Sequence, residues 1–387
     1  MASTNQPALI LLTDGIYPYV IGGMQRHSYY LAKYLAKNGV YVDLYHTWQN
    51  KDVDIHQLAV FSEDEKKFIH SIVIDFPKAG RLPGHYLVES YQYSEKIFNE
   101  LKKNINVDFI YVKGFSGWKL LEEKKKGMKL PPVGVNFHGY EAFQMTASIK
   151  SKIEQNLLLR KPILFNVRNA DYIFSYGGKI TTIIQQIGIA KDRIIEIPAG
   201  IESIWLTDAI SLTNKKRKFI FIGRHERRKG INELNKVLSK LIKTNDFEFQ
   251  FVGPIPDKLK LESEKIKYWG QITDEAKIKT ILHECDVLVC PSYSEGMPNV
   301  ILEAMSQGLA IIATDVGAVN KMVSKNNGWL INVGNQELLK STILQAIQIP
   351  ILELEDMKTN SKSVVEKFLW ENIILKLIDQ ICEKLKK

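Results

Sequence analysis

Glu295 and Glu303 are two carboxylates with seven residues between them, and the chain joining them runs Gly296-Met297-Pro298-Asn299 into an apolar helical pattern. Asn299 and Glu303 are four apart, which puts them on one helix face. A carboxylate accepts two hydroxyl hydrogen bonds at once, as the vicinal diol of a ribose or the hydroxyls of a hexose would offer. Pro298 suits the first helical position, where its missing N–H costs nothing. The free N–H groups and dipole of such a helix start favour an anion. Taken singly, Glu303 reads equally well as a solvated helix glutamate and Glu295 as a loop carboxylate.

Three other places carry matching chemistry. Arg224 and Lys229 lie in GRHERRKG, directly after the apolar run FIFI. A strand end delivers the arginine, and Gly230 opens a helix behind the lysine. A guanidinium fork and a lysine point charge suit a diphosphate, although a solvated basic turn has the same composition. Gly22 and Gly23 precede a helix and would let a diphosphate approach the backbone; an ordinary glycine turn is the alternative. His138 ends an apolar run, VGVNF, and can donate or accept a hydrogen bond at neutral pH.

Elements must position these groups. Residues 285–290 form a short buried strand, residues 291–296 a loop, residues 299–307 a helix stopped by Gly308, and residues 309–313 the next strand. The helix start therefore faces the carboxyl end of a parallel strand, where open α/β sheets bind ligands. The same unit opens the chain: a strand over 8–12, a loop over 13–23, a helix over 24–37 and a strand over 41–45. Strands follow at 71–76, 107–112, 133–137, 172–176 and 193–197. The second half supplies strands at 219–222, 247–252, 266–269 and 329–333. Helices are expected at 88–103, 144–169, 179–187, 274–284 and 336–348, with a long terminal one at 364–387. Pro162 is expected to break or bend the second of these.

The string Ser294 to Asn299, then Glu303-Ala304-Met305, Gly308 and Ala313 to Gly317, resembles the signature of retaining glycosyltransferases of family 4. Weaker similarities keep the family's order along nearly the whole chain. The resemblance implies an α/β fold of GT-B type: two Rossmann-like doubly wound domains facing across a cleft, with the C-terminal helix crossing back. The expected division is residues 1–205 for the acceptor-side domain, joined by about 370–387, and 206–369 for the nucleotide-sugar domain. The implied activity is hexosyl transfer from a nucleotide-diphosphate sugar, with UDP as the family's commonest nucleotide. Glu295 and His138 take the sugar-side catalytic positions and Glu303 the ribose. Gly22, Gly23, Arg224 and Lys229 take the diphosphate, and Gly296 to Asn299 the sugar and phosphate loop. The family implies retention, by front-face attack in which the leaving phosphate takes the acceptor proton. Met297 stands where a Phe is common, Gln25 and Lys321 where a Glu is frequent, and Ala199 where an Asn is frequent, so the sugar is less specified than the reaction.

Composition fits this class. The 387 residues are 45% hydrophobic and 25% charged, enough apolar material for two cores. The net charge is +9, and residues 1–200 hold 25 Lys/Arg against 19 Asp/Glu, most of the excess. A basic half suits an anionic surface or an acidic acceptor, or simply solubility. A basic, apolar stretch at 144–169 would rest on an anionic membrane, or pack on the sheet with its basic residues snorkelling. The acceptor is expected to be a glycan, a lipid-linked glycan or a protein.

Three cysteines make no disulfide framework or metal pattern, and the N-terminus has no signal-like run, so a cytoplasmic protein is expected, soluble or peripheral on the inner face of a membrane. Asp52-Val53-Asp54 is a DxD of the kind that holds a divalent cation in another glycosyltransferase fold. Here it reads as a chance match, so no metal and no cofactor are expected. A nucleotide-sugar epimerase of the same fold and a dinucleotide-dependent oxidoreductase are the alternative enzymes. No GxGxxG follows a strand, and the aromatic and basic interleaving of a nucleic-acid surface is missing.

Overall fold

Short apolar runs bounded by turn residues become parallel strands buried on both faces, the pattern of a sheet covered by helices. The structure is a computed structural model that describes residues 6–48, 58–80, 84–213 and 215–386. The first sheet contains β1 (Leu9–Leu12), β2 (Val42–His46), β3 (Ile69–Val73), β4 (Phe109–Lys113), β5 (Val133–Asn136), β6 (Tyr172–Ser175) and β7 (Ile194–Glu196). The second contains β8 (Arg217–Ile222), β9 (Phe247–Val252), β10 (Ile266–Tyr268), β11 (Val287–Cys290), β12 (Ala310–Thr314) and β13 (Gly328–Ile331).

Strand order is β3-β2-β1-β4-β5-β6-β7 in one sheet and β10-β9-β8-β11-β12-β13 in the other, with every pairing parallel. Order reverses between β1 and β4, and again between β8 and β11. Ligands of doubly wound sheets bind outside the carboxyl ends of such switch strands. Gly22 and Gly23 follow β1, His138 follows β5, Arg224 and Lys229 follow β8, and Glu295 follows β11. This is the expected GT-B architecture.

Several boundaries differ from expectation, and the larger differences are these. The third strand lies at Ile69–Val73 rather than 71–76, because its register pairs Ile69 with Val42 and Val73 with His46. Pro298 is the residue before the helix, in extended conformation, and the helix proper is Asn299–Ser306. The 144–169 segment is not one helix: Ile149–Glu154 leads through a widened π turn, Gln155–Leu159, into Arg160–Asn169. Pro162 lies just beyond that turn, in the first turn of the last piece. The widened turn relieves the clash a proline ring makes with a carbonyl four residues back.

The terminal helix, expected over 364–387, begins only at Trp370, and a separate helix that the sequence pattern did not indicate precedes it. Ile351–Val365 ends in a tight turn at Glu366–Phe368, and Trp370–Leu385 begins afterwards. Leu369, between them, bridges Ile201. The Ile201 N–H donates to the Phe368 carbonyl at 2.8 Å, and the Trp370 N–H to the Ile201 carbonyl at 3.0 Å. The chain thus passes twice between the domains at one paired point. Trp370 is buried there, stacked on Tyr34 of the Gly23–Lys37 helix. A Cβ on Gly200 would lie 2.6 Å from the indole, so the small residue is required.

Candidate active site

The Glu295 loop is built by close backbone approach. Gly317 has φ +55°, and a Cβ there would fall 2.3 Å from the carbonyl oxygens of both Glu295 and Gly296. Only glycine takes that conformation and that contact together. The Ala318 N–H donates to the Gly296 carbonyl at 2.7 Å. From the opposite domain, the His138-Gly139 backbone meets Gly296: a Cβ on Gly296 would sit 3.0 Å from the His138 carbonyl. The Gln144 amide donates to the Glu295 carbonyl at 2.6 Å. Three glycines therefore bring three backbone segments from two domains together beside one carboxylate.

That carboxylate is buried and doubly paired. Lys229 Nζ lies 2.7 Å from Glu295 Oε1, and Arg228 Nη1 lies 3.4 Å from Oε2. Burial alone would raise the Glu295 pKa, but the two cations outweigh it and hold it below the ordinary glutamate value. Glu295 is an anion at neutral pH, and its two cations are held against it in a largely desolvated corner. Arg228 also meets Glu226 at 2.9 Å and Glu141 of the first domain at 3.7 Å.

Glu303 lies across the domain boundary from Arg26. Arg26 Nη1 is 3.2 Å from Glu303 Oε1, and its Nη2 is 3.1 Å from Glu275. Glu303 is 14% exposed. Burial raises its pKa, Glu275 adds to the rise, and Arg26 offsets part of it. Asn299 lines the same crevice with Arg26, Tyr30, Gly200 and Glu303; the crevice holds about 10 Å³. That is room for one water.

The remaining expected residues fall as follows. Gly22 precedes the Gly23–Lys37 helix, and Gly23 opens it with nothing within 4 Å of an added Cβ. Arg224 is on the rim, 71% exposed and paired with Glu226 at 2.8 Å. It does not join Lys229 on Glu295. Met297 points away from the loop into the domain boundary, where its sulfur accepts the Ala199 N–H at 3.2 Å. The His138 ring turns into the first domain, its Nε2 3.1 Å from Lys113 Nζ and its Nδ1 against the Tyr176 hydroxyl. What His138 presents to the Gly296 loop is its backbone. Asp52 and Asp54 lie outside the described residues. Among the described residues no group of three or more His, Cys, Asp or Glu is arranged to hold a metal.

Arg26, Arg228 and Lys113 were not singled out from sequence as site residues. Each has a local signal: Arg26 follows the glycine pair by three residues, Arg228 adjoins Lys229, and Lys113 is a charge ending the apolar strand FIYVK. None of these signals says what the charge would face.

Comparison with known proteins bears on the family and the fold. The family described as Glycosyltransferase Family 4 matches residues 21–203, and Glycosyl transferases group 1 matches residues 216–348. An uncharacterized glycosyltransferase of Methanocaldococcus jannaschii is 26% identical over 95% of both chains. The N,N'-diacetylbacillosaminyl-diphospho-undecaprenol alpha-1,3-N-acetylgalactosaminyltransferase of Campylobacter jejuni is 26% identical over 80% of this chain and 85% of its own. The solved structure of Anabaena HepE in complex with UDP-glucose superposes with a TM-score of 0.67 at 17% identity, covering 98% of this chain and 99% of that one.

Proposed function

The chain belongs to the GT-B glycosyltransferases of the group 1 and family 4 type, and from that premise we propose that it moves a hexosyl group, with retention and without a metal, from a UDP-sugar to a glycan or lipid-linked acceptor. Family membership selects transfer over the epimerase and oxidoreductase alternatives. The observation that carries the reading is the buried Glu295–Lys229–Arg228 cluster at the carboxyl end of β11. It sets a fixed anion and fixed cations side by side where a sugar and its leaving diphosphate would meet.

In this reading the bond between the anomeric carbon and the phosphate oxygen breaks, and its electron pair leaves on the diphosphate. The acceptor hydroxyl bonds to the anomeric carbon from the same face, and its proton passes to the leaving phosphate oxygen. Lys229, Arg228, Arg224 and the helix start at Asn299 stabilise the departing charge, the work a metal ion does elsewhere. Glu295 accepts hydrogen bonds from the sugar hydroxyls and Glu303 from the ribose. The HepE complex with UDP-glucose supports the choice of nucleotide. A ribose on Glu303 has to displace the Arg26 guanidinium that now pairs with it.

A lipid-linked acceptor and contact with an anionic membrane are favoured by one surface. Met145, Ile149, Ile153 and Leu157 are spaced four apart and all exposed, Ile149 and Leu157 at 79% and 72%. Lys150 and Lys152 lie among them with one acid, Glu154, and Arg160 and Lys161 follow. Such a stripe beside basic residues suits the surface of an anionic bilayer. The Campylobacter relative's name, with its undecaprenol acceptor, points the same way. No helix among the described residues is long and apolar enough to cross a membrane. Free cysteines, two of them buried, favour the cytoplasm.

The test is a panel of UDP-, GDP- and ADP-sugars in single-turnover transfer, with the product's anomeric configuration read by NMR. Transfer from one UDP-sugar with retention is expected. Preference for another nucleotide, or inversion, overturns the corresponding part. Co-sedimentation with phosphatidylglycerol but not phosphatidylcholine vesicles, lost in Ile149→Glu/Leu157→Glu, is expected of the membrane surface.

A further inference from the structure

Lys113 ends β4, one of the two switch strands of the first sheet, and is 2% exposed. Its Nζ lies 2.7 Å from His27 Nδ1 and 3.1 Å from His138 Nε2. The two imidazoles meet edge to face at 5.3 Å. His27 also packs on Trp370, where the C-terminal helix crosses back. Nothing in the transfer chemistry above uses this buried amine. Burying an amine is costly, and an apolar side chain of similar size would fill the space at no such cost.

The amine acts on a strained turn. His138 and Tyr140 both have left-handed backbones, at φ +57° and +49°, although neither is glycine. Residues so placed persist only where their surroundings over-determine them. Here the Asn136 side chain accepts the His138 N–H at 2.8 Å, and Tyr176 and Lys113 hold the two ring nitrogens. The same turn carries the His138-Gly139 backbone that meets Gly296.

We propose that Lys113 is a positioning residue of the transferase site, which donates to His27 and His138 together, fixes the His138 tautomer, and so holds the His138–Tyr140 turn against the Glu295–Gly296 loop. This rests on the transferase reading above. Charged or neutral, a lysine amine has at least two N–H groups to give. With Nε2 of His138 accepting from Lys113, the proton of the neutral ring is on Nδ1, where it is donated to the Tyr176 hydroxyl. Burial above all holds both imidazoles well below the ordinary histidine pKa, and it also pushes the Lys113 amine well below the ordinary lysine value, so the rings are neutral acceptors whichever form the amine takes.

The experiment uses the full-length wild type and Lys113→Met, with long-range nitrogen–proton NMR of the histidine rings beside steady-state kinetics and UDP calorimetry. The wild type should show His138 protonated on Nδ1, and the variant a mixed or Nε2-protonated ring. Turnover should fall roughly 10- to 100-fold, the scale of a small misplacement near reacting atoms. UDP affinity should stay unchanged, since Lys113 contacts none of the groups assigned to the nucleotide, its partners being His27 and His138. A variant with unaltered kcat at temperatures where it is folded, or with an unaltered tautomer, overturns the proposal. If Lys113→Met does not fold, Tyr176→Phe leaves the Lys113 donation to Nε2 in place and must keep the single Nδ1 tautomer; a mixed or Nε2-protonated ring there would show that Tyr176 sets the tautomer and overturns the proposal equally. A wild type that transfers no sugar fails the transferase reading instead, so the two failures are separate.

Discussion

Arg26 Nη1 and Glu303 Oε1 stand 3.2 Å apart, an ion pair whose partners belong to different domains. The guanidinium also holds Glu275 at 3.1 Å and lies over the Tyr17 ring, 5.2 Å from its centroid. Glu303 is the carboxylate to which we assign the ribose, so ribose and arginine compete for the same oxygens. Opening the cleft must break this pair, and a partly exposed pair is worth about 1 kcal/mol.

Arg26→Ala is therefore expected to tighten UDP binding by about fivefold, that amount converted to affinity. Calorimetry on the variant checks it. Weaker binding would mean that Arg26 itself contacts the nucleotide once the domains part.

Glu303→Ala should act in the opposite direction. Two ribose hydrogen bonds to a charged acceptor are lost, each worth roughly 1.5–3 kcal/mol at best. Unchanged UDP affinity would move the ribose contact to another residue.

Lys229→Met removes the nearer of the two cations on Glu295. Losing one partner of a buried pair typically costs about 3–5 kcal/mol, and Arg228 should hold the loss towards the lower end. The sign with pH follows from the depressed Glu295 pKa. The stability it contributes is present above the unfolded glutamate value of 4.5 and is lost as pH falls through the lower folded value. Glu303 and Glu141 have raised pKa values and act in the opposite sense, which is why the comparison must be made between variant and wild type. The wild type minus variant difference in Tm should shrink as pH is lowered through that range. A difference independent of pH would show that Lys229 stabilises by packing alone.

Two glycines should separate architecture from binding. Gly317→Ala puts a Cβ 2.3 Å from two carbonyl oxygens at a left-handed backbone, so both Tm and turnover should fall. Gly23→Ala meets nothing within 4 Å and begins a helix, where alanine is the better former by up to about 1 kcal/mol. Its Tm should hold or rise while diphosphate affinity falls. Full UDP affinity in a stable Gly23→Ala protein would remove the glycine pair from the diphosphate site.

Transfer should survive a strong chelator, because fixed cations take the leaving-group charge in the proposed chemistry. Loss of turnover under EDTA, restored by manganese or magnesium, would return attention to Asp52 and Asp54.

What the sequence determined by itself was the repeating unit and the place of chemistry. Short apolar runs followed by loops and helices imply parallel doubly wound sheets, and the loops after switch strands are where ligands bind. The residues from Ser294 to Gly317 carry local information: helix start, stop at Gly308, and glycines whose spacing suits close backbone approach. These are properties of neighbours along the chain, and neighbours along the chain can be read.

Only the tertiary structure decided which charges face each other. Arg26 and Glu303 are 277 positions apart, and Lys113 meets His27 and His138 from three separate strand ends and helices. Electrostatic pairing acts through space over a few ångströms, so a sequence that shows a basic turn cannot say whether Lys229 or Arg224 will reach Glu295. The late start of the terminal helix, at Trp370, has the same origin. Pairing with Ile201 across the domain boundary outweighs a local pattern that reads as continuous helix.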